Sequence, residues 1–324
     1  MIELVVNSGD PRHAALKPGA LSARVVAEIG GNHQGDFKLA LDLVRSAKEF
    51  CGAYAVKFQK RSPRECLSAV EYSAAHTHSY HSFGETYGEH REFLEFSLEQ
   101  HRQLKSLCDE IGIVYSCSVW DLTSAREIVS LKPEFIKVPS ACNTHYELLA
   151  FLVENFEGAI HLSLGMTTLS EEESILEFFS ERGRVSDLVL YACTSGYPVP
   201  DREVCLLEVA RLKRSYGDLV RSIGFSGHHL GIALDVGAFV LGAEWIERHF
   251  TLDRTWRGTD QAASLEPDGL RRVVRDLASV GRALTYKPER MLETETVQRK
   301  KLKWDRFLSV PDDPSLTLAS GNDR

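Results

Sequence analysis

Eight short runs rich in β-branched and other apolar residues recur along the chain, separated by longer stretches in which apolar residues return every three or four positions. The runs are RVVAEIG (24–30), AYAVKFQ (53–59), GIVYSCS (112–118), FIKVPS (135–140), AIHLSLG (159–165), LVLYACT (188–194), VRSIGFSGH (220–228) and AEWIERHFT (243–251). Among the intervening stretches, DFKLALDLVRSAKEF predicts an amphipathic helix. Phe37, Ala40, Leu41, Val44 and Ala47 share one face, and Asp36 stands where an N-cap belongs. FLEFSLEQHRQLKSLCDE, HYELLAFLVENF, SEEESILEFFSERG, DREVCLLEVARLKRSYG and PDGLRRVVRDLASVGRAL predict further helices. Eight β-then-α units predict an α/β fold of the (β/α)8 barrel type. A doubly wound open sheet has the same alternation and remains open at this level.

Two segments depart from the pattern. RSPRECLSAVEYSAAHTHSYHSFGETYGEHR (61–91) is too long for an ordinary βα connection and too polar for a core, so it reads as a functional loop or lid. Its His76, His78 and His81 read as solvated loop histidines rather than metal ligands. From about Lys300 the periodicity fades and Pro, Asp and Ser accumulate. The expected organisation is therefore a single barrel domain over 1–299 with a short irregular extension over 300–324.

In a parallel barrel, side chains alternate between the packed interior and the helix layer, and the active site forms at the C-terminal ends of the strands. Polar residues late in apolar strands are then the informative ones. Glu28, Lys57 and Lys137 sit among apolar neighbours, where an unpaired charge would cost several kcal/mol. Two lysines at one rim, with Ser140, Ser163 and Thr194 at other strand ends, would make a receptor for phosphate or carboxylate. Internal pairing, for example of Lys57 with Glu28, is the alternative.

The seventh run ends on histidine and the eighth carries one near its end. His228 shares a strand face with Gly224 and Ser226, and His249 shares one with Trp245 and Glu247. Two imidazoles from adjacent strand ends can converge on one divalent cation, with Glu28 and Asp260 available nearby. His229 reads as facing the helix layer or capping the next turn.

The 324 residues carry a formal charge of −8, which gives no overall attraction for nucleic acid or anionic lipid. No run reaches the ~18 apolar residues of a membrane span, and the first residues lack the pattern of a signal peptide. A soluble cytoplasmic protein is expected. Its seven cysteines form no C-x-x-C, and no structural disulfide is expected.

The ordered motifs AEIGGNHQGD, AVKFQ, IKVPS, LSLGMTTLSEEE, CTSGYPVP, GFSGHHLG and GAEWIERHFTLDRTWRGTDQAASLEP, from about residue 22 to 303, resemble the sialic acid synthase family of phosphoenolpyruvate-dependent nonulosonate synthases. The resemblance implies a TIM barrel in which phosphoenolpyruvate condenses with an open-chain aldose, such as N-acetylmannosamine or a related hexose, and phosphate is released. It places a Mn2+ or Mg2+ ion on His228 and His249, and phosphoenolpyruvate on Lys57, Lys137, Ser140, Ser163 and Ser226. Glu28 and Asp260 would face the reacting sugar, with Tyr197 lining its pocket. A homodimer or higher homo-oligomer is implied by analogy. Another metal-dependent barrel enzyme, an isomerase or hydrolase, and a catalytically silent sugar-binding subunit are the competing expectations.

Three departures bear on the sugar pocket. Cys142 stands where the family pattern has a glutamate that binds the acyl-amino group, and a thiol cannot accept the same charge-assisted hydrogen bonds. Gly227 replaces an acid in the SDH pattern, and Ser195 replaces an asparagine ahead of Tyr197. Many family members continue into a small antifreeze-like domain near where this sequence ends. Sugar recognition is accordingly expected from the barrel loops, the 61–91 segment included.

Overall fold

Strands β1 (Arg24–Gly30), β2 (Ala55–Lys60), β3 (Val114–Val119), β4 (Phe135–Val138), β5 (Ala159–Ser163), β6 (Leu188–Cys193), β7 (Ser222–Gly227) and β8 (Trp245–His249) each pair in parallel with the next. β8 returns to β1 through pairs such as Glu28 with His249, closing the sheet and removing the open-sheet alternative. The structure is a computed structural model that describes residues 23–77, 79–287 and 291–304. The initial segment without a signal-peptide pattern, His78 and the last residues of the expected extension lie outside these.

Helices surround the barrel: α1 (Phe37–Arg45), α2 (Pro63–Cys66), α3 (Ala69–Ser73), α4 (Tyr87–Leu94), α5 (Leu98–Ile111), α6 (Leu122–Ser130), α7 (Tyr146–Asn155), α8 (Leu169–Glu181), α9 (Glu208–Tyr216), α10 (Ala233–Val240) and α11 (Pro267–Ala283). Asp36 caps α1 as expected, its carboxylate accepting from the Lys38 and Leu39 amides. The helix expected from Phe93 through Glu110 is broken, because Ser97 starts α5 afresh through a reciprocal capping box with Gln100. The 61–91 segment is largely helical: α2 opens on Pro63, while α3 and α4 carry Ser68–Glu71 and Thr86–Glu89 capping boxes. Of its described histidines, His76 lies with its ring tilted against that of His90, and His81 Nδ1 accepts from the Gly258 amide at 3.2 Å.

The compact barrel unit ends at Ala283. A separate helix, α12 (Glu293–Leu302), spans the boundary expected between 299 and 300, so residues 300–302 are helical rather than irregular. Glu293 and Glu295 in its first turn and Arg299, Lys300 and Lys301 in its last complement the helix dipole. Among the described residues no helix is long and apolar enough to cross a membrane.

The barrel interior is layered. Val26, Ala55, Phe135, Ala159, Val189, Tyr191 and Trp245 form an apolar plug. Two residues further along four of these strands stand Glu28, Lys57, Lys137 and Glu247, which line a cavity at the C-terminal end. Glycine at 224 makes room for the plug, since a Cβ there would come within 2.6 Å of the Tyr191 ring. The alternation of the strands thus sets a charged layer directly on a hydrocarbon floor.

Candidate active site

The cavity has a volume of about 280 Å³ and opens among the βα loops. Its charged floor is a bridged network. Lys57 Nζ lies 2.5 Å from Glu28 Oε2 and 3.7 Å from Glu247 Oε1, and Lys137 Nζ lies 3.0 Å from Glu247 Oε2. All four side chains are less than a tenth exposed. Ser118 accepts from Lys57 Nζ at 2.7 Å, Ser226 donates to Glu247 at 3.2 Å, and Gln59 donates to Glu28 at 2.7 Å. Beneath Lys137, the Tyr191 ring centroid is 3.4 Å from Nζ, a desolvated cation–π contact, and the Tyr191 hydroxyl is held by His161 at 2.9 Å.

These surroundings move the carboxyls apart. Burial raises the Glu28 pKa to about 6 against the pull of Lys57, with Glu247 adding to the rise. Burial would raise Glu247 too, but two ammonium groups overcome it and hold this carboxyl down at about 2. Lys137 is lowered by burial, whereas Lys57, facing both carboxylates, is raised in spite of it. Glu247 is therefore a fixed anion and Glu28 a group able to exchange protons near neutrality.

The two histidines come together above this floor, their ring centroids 5.4 Å apart. His228 Nδ1 lies 3.0 Å from the Thr194 carbonyl, and His249 Nδ1 faces Asp260 Oδ2 at 3.8 Å with no hydrogen-bond partner of its own. A proton on each Nδ1 suits these neighbours and turns the Nε2 lone pair of His249 toward a ligand. Burial lowers the His249 pKa to about 4, so the ring is neutral, as a metal ligand must be. The His228 pKa is raised: burial opposes its charge, but Cys193, whose own pKa is lowered beside it, together with the Thr194 carbonyl and Glu247 outweighs burial. Among the described residues no three His, Cys, Asp or Glu side chains gather with metal-ligand spacing. A closed structural centre is therefore not formed by these residues, and the two imidazoles lining the cavity are the donors an open site would use.

Glu28, Lys57, Lys137, Ser140, Ser163, Ser195, Tyr197, Ser226, His228 and His249 all line this one cavity. Thr194 takes part through its carbonyl rather than its hydroxyl, which donates to Glu203 O. Tyr197 is half exposed and its ring lies tilted against that of His228, the centroids 4.2 Å apart. Asp260 stands behind His249 and lines an adjoining cleft with Arg61 and Arg91. Cys142 does not reach the cavity: it is buried, and its thiol donates to the Trp120 carbonyl at 3.4 Å. The wall beside it is Trp120, whose indole carries the Arg61 guanidinium 4.0 Å from its centroid. Glu247, Ser118, Gln59, Trp120 and Cys193 were not singled out as site residues in the sequence. The alternation of Trp245, Glu247 and His249 on one face of β8 was the available signal for Glu247.

Comparison with known proteins agrees with this geometry. Residues 43–289 match the model of the NeuB family. The chain is 36% identical over 296 residues to N-acetylneuraminate-9-phosphate synthase of Mus musculus, covering 91% of this chain and 80% of that protein. It is 31% identical over 261 residues to N,N'-diacetyllegionaminic acid synthase of Campylobacter jejuni, with 80% and 77% covered. The crystal structure of an N-acetylneuraminic acid synthetase from Leptospira borgpetersenii in complex with citrate superposes with a TM-score of 0.73 at 26% identity, over 86% of this chain and 91% of that one. With its closed barrel, its paired lysines and its two converging histidines, this chain belongs to the NeuB family.

Proposed function

We propose that the chain condenses phosphoenolpyruvate with the aldehyde form of an aldose to give a 3-deoxy-2-ulosonic acid of the sialic acid type and inorganic phosphate. The observation that carries this reading is the shared cavity, in which two buried ammonium groups and two imidazoles present themselves to one ligand volume. Lys57 and Lys137, with the hydroxyls of Ser140, Ser163 and Ser226, take the phosphate and carboxylate of phosphoenolpyruvate. Glu247 keeps both ammonium groups charged and in place before the anion arrives.

His228 and His249 would hold a divalent ion, Mn2+ or Mg2+, which when bound supplies Lewis acidity toward the acceptor's aldehyde oxygen. In the condensation, C3 of phosphoenolpyruvate forms a bond to the aldehyde carbon, whose oxygen takes a proton and becomes a hydroxyl. Water adds at the electron-deficient C2, and Glu28 is placed to accept its proton. The C2–O bond then breaks, and phosphate leaves with the former bridging oxygen. Asp260 orients the His249 ring from behind, and Tyr197 with Ser195 lines the mouth where the sugar enters.

A hydrolase or isomerase built on the same histidines would leave the paired lysines unexplained, and a silent subunit would leave the charge separation of Glu28 and Glu247 without a purpose. The reading includes a homo-oligomer in the cytoplasm. The test is to incubate the protein with phosphoenolpyruvate, Mn2+ and a panel of 2-acylamino, 2-amino and neutral hexoses, free and phosphorylated. Phosphate is expected only when an acceptable sugar is present, and silence across the panel would refute the assignment.

A further inference from the structure

A second charged cluster lies on the outer side of the barrel wall, and the chemistry above makes no use of it. Arg248, between Glu247 and His249 on β8, points into the helix layer and is about 1% exposed. Its Nη2 donates to the His229 carbonyl at 2.7 Å, and its Nη1 donates to the Gly231 carbonyl at 2.9 Å and to Asp235 Oδ2 at 2.5 Å. His229 Nε2 accepts from the same Nη1 at 2.9 Å. Asp235, fully buried, stands in the first turn of α10. The His229 ring packs against the end of β7, where a Cβ on Gly227 would come 2.8 Å from its atoms. A side chain at 227 would meet the imidazole of 229 and the ring of Phe225 where they stand.

The cluster is not an economical way to hold a fold together. Asp235 Oδ1, Arg248 Nε and His229 Nδ1 are buried without hydrogen-bond partners, and such groups favour stability less than apolar replacements of the same volume would. What the cluster does specify is geometry. The guanidinium belongs to the residue before His249, and it grips the backbone of the residues after His228. A turn of His228 away from His249 would break two charge-assisted bonds to carbonyls at once.

We propose that Arg248 is the positioning residue of the His228–His249 pair, fixing the loop after β7 to β8 from outside the barrel, with Asp235 and His229 holding the guanidinium in turn. This rests on the metal-holding role given to the two imidazoles. The test uses the full chain, stripped of metal, and two variants. Arg248→Lys keeps the charge but loses the fork. The double variant Arg248→Met/Asp235→Leu removes both charges and so leaves no unpaired ion. Mn2+ alone is titrated by electron paramagnetic resonance, phosphoenolpyruvate alone by calorimetry, and folding is followed by thermal melts.

Both variants are expected to stay folded and to bind phosphoenolpyruvate as the wild type does, while Mn2+ affinity falls about tenfold or more and kcat falls with it. A purely structural role would lower the melting temperature without separating the two ligands. Folded variants that bind Mn2+ as tightly as the wild type overturn the proposal. If the double variant does not fold, Arg248→Lys decides on the same readings. A wild type that binds no Mn2+ refutes the metal role itself and the positioning role with it, which distinguishes the two failures.

Discussion

Lys137 Nζ stands 3.0 Å from Glu247 Oε2, and the second oxygen of the same carboxylate faces Lys57, so one buried anion joins strands β2, β4 and β8 across the barrel. Removing its charge would leave Lys137 without a counter-ion and Lys57 with Glu28 alone. Glu247→Gln is expected to destabilise the ligand-free protein by about 3 kcal/mol. Saturating phosphoenolpyruvate should restore more stability to this variant than it adds to the wild type, because the incoming anion replaces the lost one. Urea unfolding with and without the ligand measures both effects. An unchanged midpoint for the ligand-free variant would contradict the bridging role.

Glu28 holds a pKa of about 6, raised chiefly by burial. As the acceptor of a proton from water it must be ionised, so kcat is expected to fall as pH drops through about 6. Glu28→Gln should flatten that limb and lower kcat by roughly two to four orders of magnitude. A limb that survives the substitution would assign the proton to another group.

Acid stability follows from imidazoles buried outside the cavity. Burial lowers the pKa of His33 and His101 to about 3 and that of His161 well below its ordinary value. These rings are neutral in the folded chain but take protons near pH 6.5 once unfolded. The stability they permit is complete above about pH 6.5 and is lost as pH falls toward 3, by about 1.4 kcal/mol per pH unit for each ring. Denaturation midpoints at pH 7, 6 and 5 should decline with a slope corresponding to several protons. A flat profile would contradict the burial.

Cys142 lies behind Trp120 rather than on the cavity wall. Cys142→Ala is therefore expected to change the acceptor KM by less than about twofold, whereas Trp120→Ala should raise it about tenfold or more. Equal effects from both would mean that the thiol touches the sugar.

The strands were legible because each is a short buried run rich in apolar residues, bounded by polar or turn residues. The paired histidines were legible because one follows directly on β7 and the other ends β8. Glu247 was visible on the right face of β8, but its bridging of lysines from β2 and β4 depends on reach across the closed barrel, and no spacing along the chain records that. The small helices over 61–91 did leave a signal in SAVE and TYGE, both capping boxes, which the Gly, His and Tyr around them obscured. The break before α5 needs Glu95 to turn aside and accept from the Arg61 amide at 2.8 Å, a tertiary contact that local periodicity cannot contain. The family's glutamate position drew attention to Cys142, yet only the packing of Trp120 and Arg61 shows what stands in front of it.

The most direct measurement of the central claim is the fate of the bridging oxygen of phosphoenolpyruvate, labelled with the heavy isotope, in a single turnover with an accepted aldose. If the lysines hold the anion while C3 reacts and water adds at C2, the label leaves entirely with the phosphate, and the new sugar acid carries solvent oxygen at C2. Label retained on the three-carbon unit would mean cleavage between phosphorus and oxygen, and would contradict condensation in this cavity.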